Sequence, residues 1–434
     1  MALVRMALGS YRGFAKRQAI ELRPITVVLG RNNAGKSAIV RAPVVFGTGI
    51  HTDSREPLDV DQLSEDLLDS FTDLIHGTRV HRGRIQVELG VRTPDGLVRV
   101  AATVLHLADQ HRQVVEELEL SVDGVQVGRL EWELNDPASA PQYTVEIGDH
   151  VFSQVPLLFH GLLPAILLLP VLPEDVSSKI LDVATSVREH FPTVRYLGPF
   201  RDRPHRRYRL PGRMRTEVGV TGEHAAGILA SDLARGGGEL LRQINEDLEE
   251  HLPGWRVGVD ERGGMWSVVL ISTDDENLKV NLADAGTGVA QALPIFVQRA
   301  IDILAEYRLG PDEPVTPILE VVEQPELHLH PAAHAMLADL YIGAVKKTST
   351  RFLIETHSET LLLRLRRRIA EGLDPSTVAV YFVDRVDGES TARRIHIDAD
   401  GNLDYWPTGV FSEDYDETRA LARAQRERRT TDAR

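Results

Sequence analysis

The residues best suited to chemistry are those from Gly30 to Ser37, which read GRNNAGKS. They match G-x-x-x-x-G-K-[ST], the pattern of a loop that wraps phosphate groups. Gly30 and Gly35 let the backbone amides of Arg31, Asn32, Asn33 and Ala34 turn inward around phosphate oxygens. The helix that follows adds the partial positive charge of its N-terminus. Lys36 would reach the β- and γ-phosphates, and the Ser37 hydroxyl would ligate Mg²⁺. A β-branched run, Ile25–Leu29, precedes the loop and a helical pattern begins at Lys36, so the strand–loop–helix setting is the required one.

A phosphate loop that hydrolyses its ligand needs acids and water-positioning groups, and these lie far along the chain. The apolar strand Ile318–Val322 runs into Glu323-Gln324-Pro325-Glu326. Glu323 at that strand end would support the Mg²⁺ shell. The strand Arg351–Glu355 runs into Thr356-His357-Ser358, where His357 could bond the γ-phosphate or the attacking water. Upstream of both, Gly286-Thr287-Gly288 opens a helix that includes Gln291, a second anion-binding helix start. Taken singly, His357 reads equally well as a core histidine and Gly286–Gly288 as a plain helix entry. Their order and spacing favour the functional reading.

The elements that must position these groups are legible in the periodicity. Residues 84–105 and 114–134 alternate apolar and polar with Asp-Gly turns between, which predicts antiparallel hairpins. Residues 50–80 suggest helix broken by loops, and helices are expected near 174–190 and over the segment after Gly236–Gly238. From residue 287 onward helix and strand alternate, which argues for a parallel α/β sheet. The expected organisation is an α/β P-loop NTPase with an antiparallel β lobe and a helical insertion. Residues 1–155 form the N-terminal lobe, 156–250 the helical insertion with an arginine-rich loop, 251–412 the C-terminal ATPase lobe and 413–434 a tail.

Composition narrows the function classes. The chain of 434 residues has no cysteine, which excludes disulfides, thiolate metal sites and a cysteine nucleophile. Its net charge of -15 argues against coating DNA by bulk charge. Charge is uneven, however: residues 1–50 hold eight Lys+Arg against one acid, and residues 195–215 hold eight Arg against one acid. Arg201, Arg203, Arg206, Arg207 and Arg209 crowd the second island. They read as a clamp on a neighbour's phosphate, as a nucleic-acid contact, or as a solvated loop paired with the protein's own carboxylates.

The span Val151–Pro173 has no charged residue, but Pro156, Pro164, Pro170 and Pro173 argue for a buried layer or partner-facing surface over a membrane helix. The N-terminus is too charged for a secretory signal, which suggests a cytoplasmic protein. Asp398 and Asp400 resemble a metal pair, yet read better as a hairpin turn. His328 and His330 read as part of a loop facing a dimer partner.

GRNNAGKS, DAGTGVAQALPI, VVEQPELHLHP and IETHSE together resemble ABC-type ATPases of the SMC/RecF branch. The details are most similar to OLD-like (overcoming lysogenization defect) ATPases, often grouped as AAA, without their Toprim nuclease. YLGPFRDRPHRRY and the FSEDYDE end resemble a subgroup with an uncharacterised C-terminal region. The resemblance covers residues 22–41 and most of 194–417, and 50–190 only loosely.

It implies an ABC/SMC-type head that forms a homodimer on ATP, with each ATP between one P-loop and the partner's Gly286–Gln291 turn. Two departures stand out. The signature has no evident serine, so Thr287 and backbone amides would contact the γ-phosphate. Where such enzymes carry a catalytic glutamate this chain has Gln324, which orients water but takes no proton, so turnover would be slow or Glu326 or Glu320 would substitute. No glutamine-bearing loop is evident, and Asp73 or His76 is the stand-in. The expected function is an ATP- and Mg²⁺-dependent switch or clamp acting on an effector protein or nucleic acid, in phage defence or in DNA maintenance and repair. The alternatives are a non-hydrolysing scaffold and, further off, a transporter subunit.

Overall fold

The computed structural model describes residues 2–64, 67–77, 82–110, 112–133, 141–165, 172–251, 254–309, 316–407 and 413–432. The chain opens with β1 (Ala2–Gly9), β2 (Gln18–Glu21) and β3 (Ile25–Gly30), and the glycine loop then leads into α1 (Lys36–Gly47). Residues 50–80 form no α-helix among the described residues, only short 3-10 turns at Val60–Gln62 and Phe71–Leu74. Their Asp and Ser side chains bond nearby backbone amides, as Asp73 does at Ser70 (3.1 Å), which favours turns over helix.

A meander follows: β4 (Arg82–Thr93), β5 (Gly96–Leu107), β6 (Arg112–Val122), β7 (Val125–Glu133), β8 (Gln142–Ile147) and β9 (His150–Pro156). With β1 and β2 it makes one eight-stranded antiparallel sheet, ordered β2-β1-β4-β5-β6-β7-β8-β9. The β6–β7 turn places Asp123 (φ 48°) and Gly124 (φ 83°) in the left-handed region, as a two-residue hairpin demands. The charge-free span continues through β10 (Phe159–His160) and β11 (Leu163–Pro164) as strands, not helix, and 166–171 lie outside the described residues.

The second half supplies α2 (Glu174–His190), β12 (Thr193–Leu197), β13 (Tyr208–Arg209), α3 (Ala225–Arg235) and α4 (Glu239–His251). Helix α2 buries Val176, Ile180, Ala184 and Val187, one stripe at helical spacing, and stops just before Pro192. Next come β14 (Trp255–Arg262), β15 (Met265–Ser272) and β16 (Lys279–Asn281), which with β13 form a small sheet. The remainder is α5 (Thr287–Arg308), β17 (Ile318–Glu323), α6 (Pro331–Lys347), β18 (Arg351–Glu355), α7 (Glu359–Ala370), β19 (Val378–Val386), β20 (Glu389–Ile395) and α8 (Glu413–Asp432).

The central sheet is ordered β12-β17-β18-β3-β19-β20, with all neighbours parallel except the edge pair β19–β20. Segment 156–250 therefore contributes helices and also β12, an edge strand of that sheet. Alternate residues of β3 serve two cores: Val28 joins α1 and the antiparallel sheet, while Ile25, Val27 and Leu29 join α5, α6 and α7. The protein is an α/β P-loop fold with the central sheet packed between an antiparallel lobe and a helical layer. Helix α5 is long and apolar enough over Gly288–Arg308 to cross a membrane, but its apolar side chains, such as Leu293, Phe296 and Val297, are packed in that helical layer.

Candidate nucleotide site

At Gly30 and Gly35 the phosphate loop takes backbone that favours glycine. Gly30 has φ 153°, and a Cβ there would sit 2.1 Å from the Val383 carbonyl oxygen of neighbouring β19. Asn33 (φ 59°) and Gly35 (φ 105°) continue the left-handed turn, with the Phe14 ring and the Ser390 hydroxyl packed beneath Gly35. Lys36, only 4% exposed, folds back so that Nζ donates to the Arg31 carbonyl at 2.8 Å. Burial pushes its pKa below the ordinary lysine value, opposed by Glu355, Glu323 and Glu326. Ser37 Oγ donates to Glu355 Oε2 at 2.7 Å.

Parallel pairing sets Glu323 of β17 directly opposite Glu355 of β18, so two carboxylates stand side by side at the strand ends facing the loop. Burial, reinforced by the charge of Glu323, raises the Glu355 pKa, while Ser37, Lys36 and Arg41 pull the other way. Glu323 is held differently. Arg41, one turn along α1 from Ser37, grips it through two bonds of 2.6 and 2.8 Å, and the Tyr196 hydroxyl also bonds it. The sequence points to Glu323 for the metal and to His357 from the next strand. The carboxylate touching Ser37 is Glu355, two residues before that histidine. Its signal was its place as the last residue of RFLIE, matching Glu323 at the end of ILEVVE.

Gln324 takes a left-handed backbone (φ 44°), fixed by its N–H donating to the Glu355 carbonyl at 2.8 Å. Its half-exposed side chain has no hydrogen-bond partner among the described residues. Glu326 points inward instead and accepts the His357 backbone N–H at 2.6 Å; burial raises its pKa. His357 is half-buried within electrostatic reach of Lys36, and burial lowers its pKa, which keeps the ring neutral near pH 7. Glu320 is fully buried on the helical side of β17, away from the loop, with its pKa pushed up to about 8 by burial and the Asp302 charge.

The Gly286–Gln291 turn belongs to a different neighbourhood. Gly286 caps the 22-residue α5, and a Cβ on Gly288 would lie 3.1 Å from the His328 carbonyl oxygen. Gln291 is buried and donates to the Arg201 carbonyl at 3.2 Å. Arg201 in turn donates to the Glu323 carbonyl at 3.2 Å, and Arg206 grips Asp284 at 2.6 and 2.7 Å. The arginine island thus divides. Arg201 and Arg206 splice the turn to the acidic strand, while Arg203, Arg207 and Arg209 are exposed without a carboxylate partner among the described residues. Among the described residues, the turn makes no hydrogen bond to the Gly30–Ser37 loop. Asp73 bonds the Ser70 backbone N–H and His76 bonds the Arg12 carbonyl, neither of them a residue of that loop. Asp398 accepts the amides of Asp400 and Asn402, closing a turn around Gly401.

Among the described residues, no cluster of three or more His, Asp or Glu side chains could hold a metal alone. Mg²⁺ at a phosphate loop needs no such cage, because phosphate and water supply most of its oxygens. Ser37 Oγ beside a buried carboxylate fits that role.

Residues 228–362 match the AAA ATPase domain family, and residues 373–421 match a family described as a protein of unknown function, DUF3696. No curated protein matches the chain. Similar solved structures include an SMC head bound to the C-winged helix domain of ScpA, with 15% identity, a TM-score of 0.48, and coverage of 92% of this chain and 98% of that one. The SMC head domain from Thermotoga maritima shares 12% identity at a TM-score of 0.41, covering 92% and 100%. An SMC head with an extended coiled coil, bound to the C-terminal domain of ScpA and derived from Pyrococcus furiosus, shares 12% at 0.47, covering 91% and 96%. The AAA match spans the turn, the acidic strand and the histidine strand, and the phosphate loop joins them in space through β3. The chain is a P-loop α/β protein with a stretch similar to an AAA ATPase domain.

Proposed function

We propose that this protein binds ATP with Mg²⁺ on the Gly30–Ser37 loop and acts as a slow ATPase switch. The observation that carries the reading is the convergence of Lys36 and Ser37 on Glu355, with Gln324 at the rim where a proton acceptor would stand. Ser37 and Glu355 would hold Mg²⁺, with Glu323 beside them, and the ion would offset phosphate charge. His357 would orient the attacking water or bond the γ-phosphate. Glu326 supports it from behind through the His357 backbone.

The Gly286–Gln291 turn makes no hydrogen bond to its own phosphate loop among the described residues, which suits a homodimer in which Gly286, Thr287 and Gly288 meet the partner's ATP. Gln291 would act indirectly, by holding Arg201. Gln324 makes the closed dimer long-lived, and the closed state is then the signal to an effector protein or nucleic acid. Phage defence or DNA maintenance is the setting proposed, in the cytoplasm. Gln324 also favours the second reading, a scaffold that closes on ATP without hydrolysing it; phosphate release separates the two.

The test is oligomeric state and nucleotide affinity with and without ATP and Mg²⁺. The wild type should dimerise on ATP, and Lys36→Ala should lose both dimerisation and at least a hundredfold in affinity, about 2.7 kcal/mol. Unchanged binding in Lys36→Ala would overturn the reading.

A further inference from the structure

At the opposite end of the central sheet from the phosphate loop, the starts of β3, β18 and β19 meet the antiparallel lobe at a cleft of about 670 Å³. Its charged lining is Arg5, Arg23, Arg92, Arg351 and Arg394 against Glu21. That one carboxylate is already shared: Arg23 bonds it at 2.9 Å and Arg394 bonds its other oxygen. Arg5 lies 3.7 Å from Glu88, which also takes Arg17 and Arg99. Arg351 is half-buried and donates to the Leu22 carbonyl at 3.0 Å. Arg92 is exposed, with no carboxylate partner among the described residues. Both guanidinium groups line the cleft, and burial, followed by the charge of Arg92, lowers the pKa of Arg351.

A chain with 64 Asp+Glu could have neutralised this cleft, yet it leaves a positive excess there. Guanidinium forks match phosphate oxygens in pairs, and an anion between Arg92 and Arg351 would turn their repulsion into attraction to a shared partner. The cleft volume lies in the range of small-molecule sites. Its walls come from both lobes: Arg5 and Arg92 from the antiparallel sheet, Arg351 and Arg394 from the central sheet.

We propose that this cleft is a second anion site, which binds a small molecule carrying two or more linked phosphates and ties the two sheets together through Arg92 and Arg351. The site is independent of the phosphate loop.

The experiment is calorimetric titration of the full chain with tripolyphosphate at physiological salt, in a Lys36→Ala background that removes phosphate-loop binding. The expected result is saturable binding of one anion per chain. Arg92→Glu should weaken it at least tenfold and the milder Arg92→Ala at least threefold, while Arg207→Ala, in the other basic loop, leaves it unchanged. ATP in place of tripolyphosphate distinguishes the source: equal affinity assigns the site to the phosphate chain alone, and tighter binding assigns it to a nucleotide. Absence of saturable binding, indifference to both Arg92 substitutions, or tighter binding of a duplex oligonucleotide through Arg92 would each overturn the proposal. If the phosphate-loop reading itself failed, the wild type and Lys36→Ala would titrate alike, and the Arg92 dependence would still decide.

Discussion

The phosphate-loop side and the signature-turn side of the molecule spend their polar groups in opposite ways. Around the loop, Lys36, Ser37 and Arg41 are bonded to Arg31, Glu355 and Glu323, so the groups proposed to meet phosphate and metal are held in place by the chain itself. Around the turn, Gln291 is bonded inward to Arg201 and Asp284 is paired with Arg206 at the surface, which leaves Gly286 exposed at the start of α5. One side is a preorganised pocket; the other is a braced face. Preorganisation favours binding by one chain, whereas a braced face gains its use against a second copy.

Three substitutions would break or sharpen that contrast. Glu355→Gln should have the largest effect: Mg²⁺-dependent turnover should fall about a hundredfold or more, with metal-free nucleotide affinity kept, because the acid beside Ser37 loses its charge. The pH profile adds a check. Since the folded-state pKa of Glu355 is raised, acidification protonates it earlier than an ordinary glutamate, so Mg²⁺-dependent turnover should decline above the usual carboxylate range. Glu355→Gln should lack that limb, and a limb that persists would assign it to another group. Gln324→Glu comes next, with turnover raised about tenfold if a missing proton acceptor is what slows the reaction. Unchanged or lower turnover in a phosphate-release assay would count against that placement. Arg206→Ala is the mildest. An exposed ion pair contributes up to about 1 kcal/mol, so ATP-driven dimerisation should weaken two- to fivefold while the monomer's nucleotide affinity stays constant. Equal losses in both would mean that the turn and the loop are not separable.

Much of the architecture is legible in the sequence. The glycine loop, the two hairpins around Asp95-Gly96 and Asp123-Gly124, and the alternation of helix and strand after residue 287 follow from local rules of turn chemistry and periodicity. The site is less so, because its composition depends on register. Glu355 stands beside Glu323 only because β17 and β18 pair with those two strand ends level, a fact no local pattern in RFLIETHS carries. Gln291 and Glu326 have the spacing of site residues, yet both side chains turn inward to brace backbone at Arg201 and His357. The arginine island could not be divided from sequence either, since Arg201 and Arg203 differ by two positions and end up buried and exposed respectively. β12, within a stretch dominated by helices, joins the central sheet because its partner β17 lies more than a hundred residues on.

The place of β3 between β18 and β19 has a consequence for how the protein comes to be. The strand that carries the phosphate loop is made early, but both of its neighbours are made late, roughly 300 residues downstream. At about 5–20 residues per second, the loop waits tens of seconds on the ribosome with its flanking strand unpaired on both edges. Until Val383 arrives beside Gly30 and Glu355 beside Ser37, the nascent chain has the glycine loop but no pocket around it. Nucleotide competence is therefore a property of the completed sheet, acquired late and all at once.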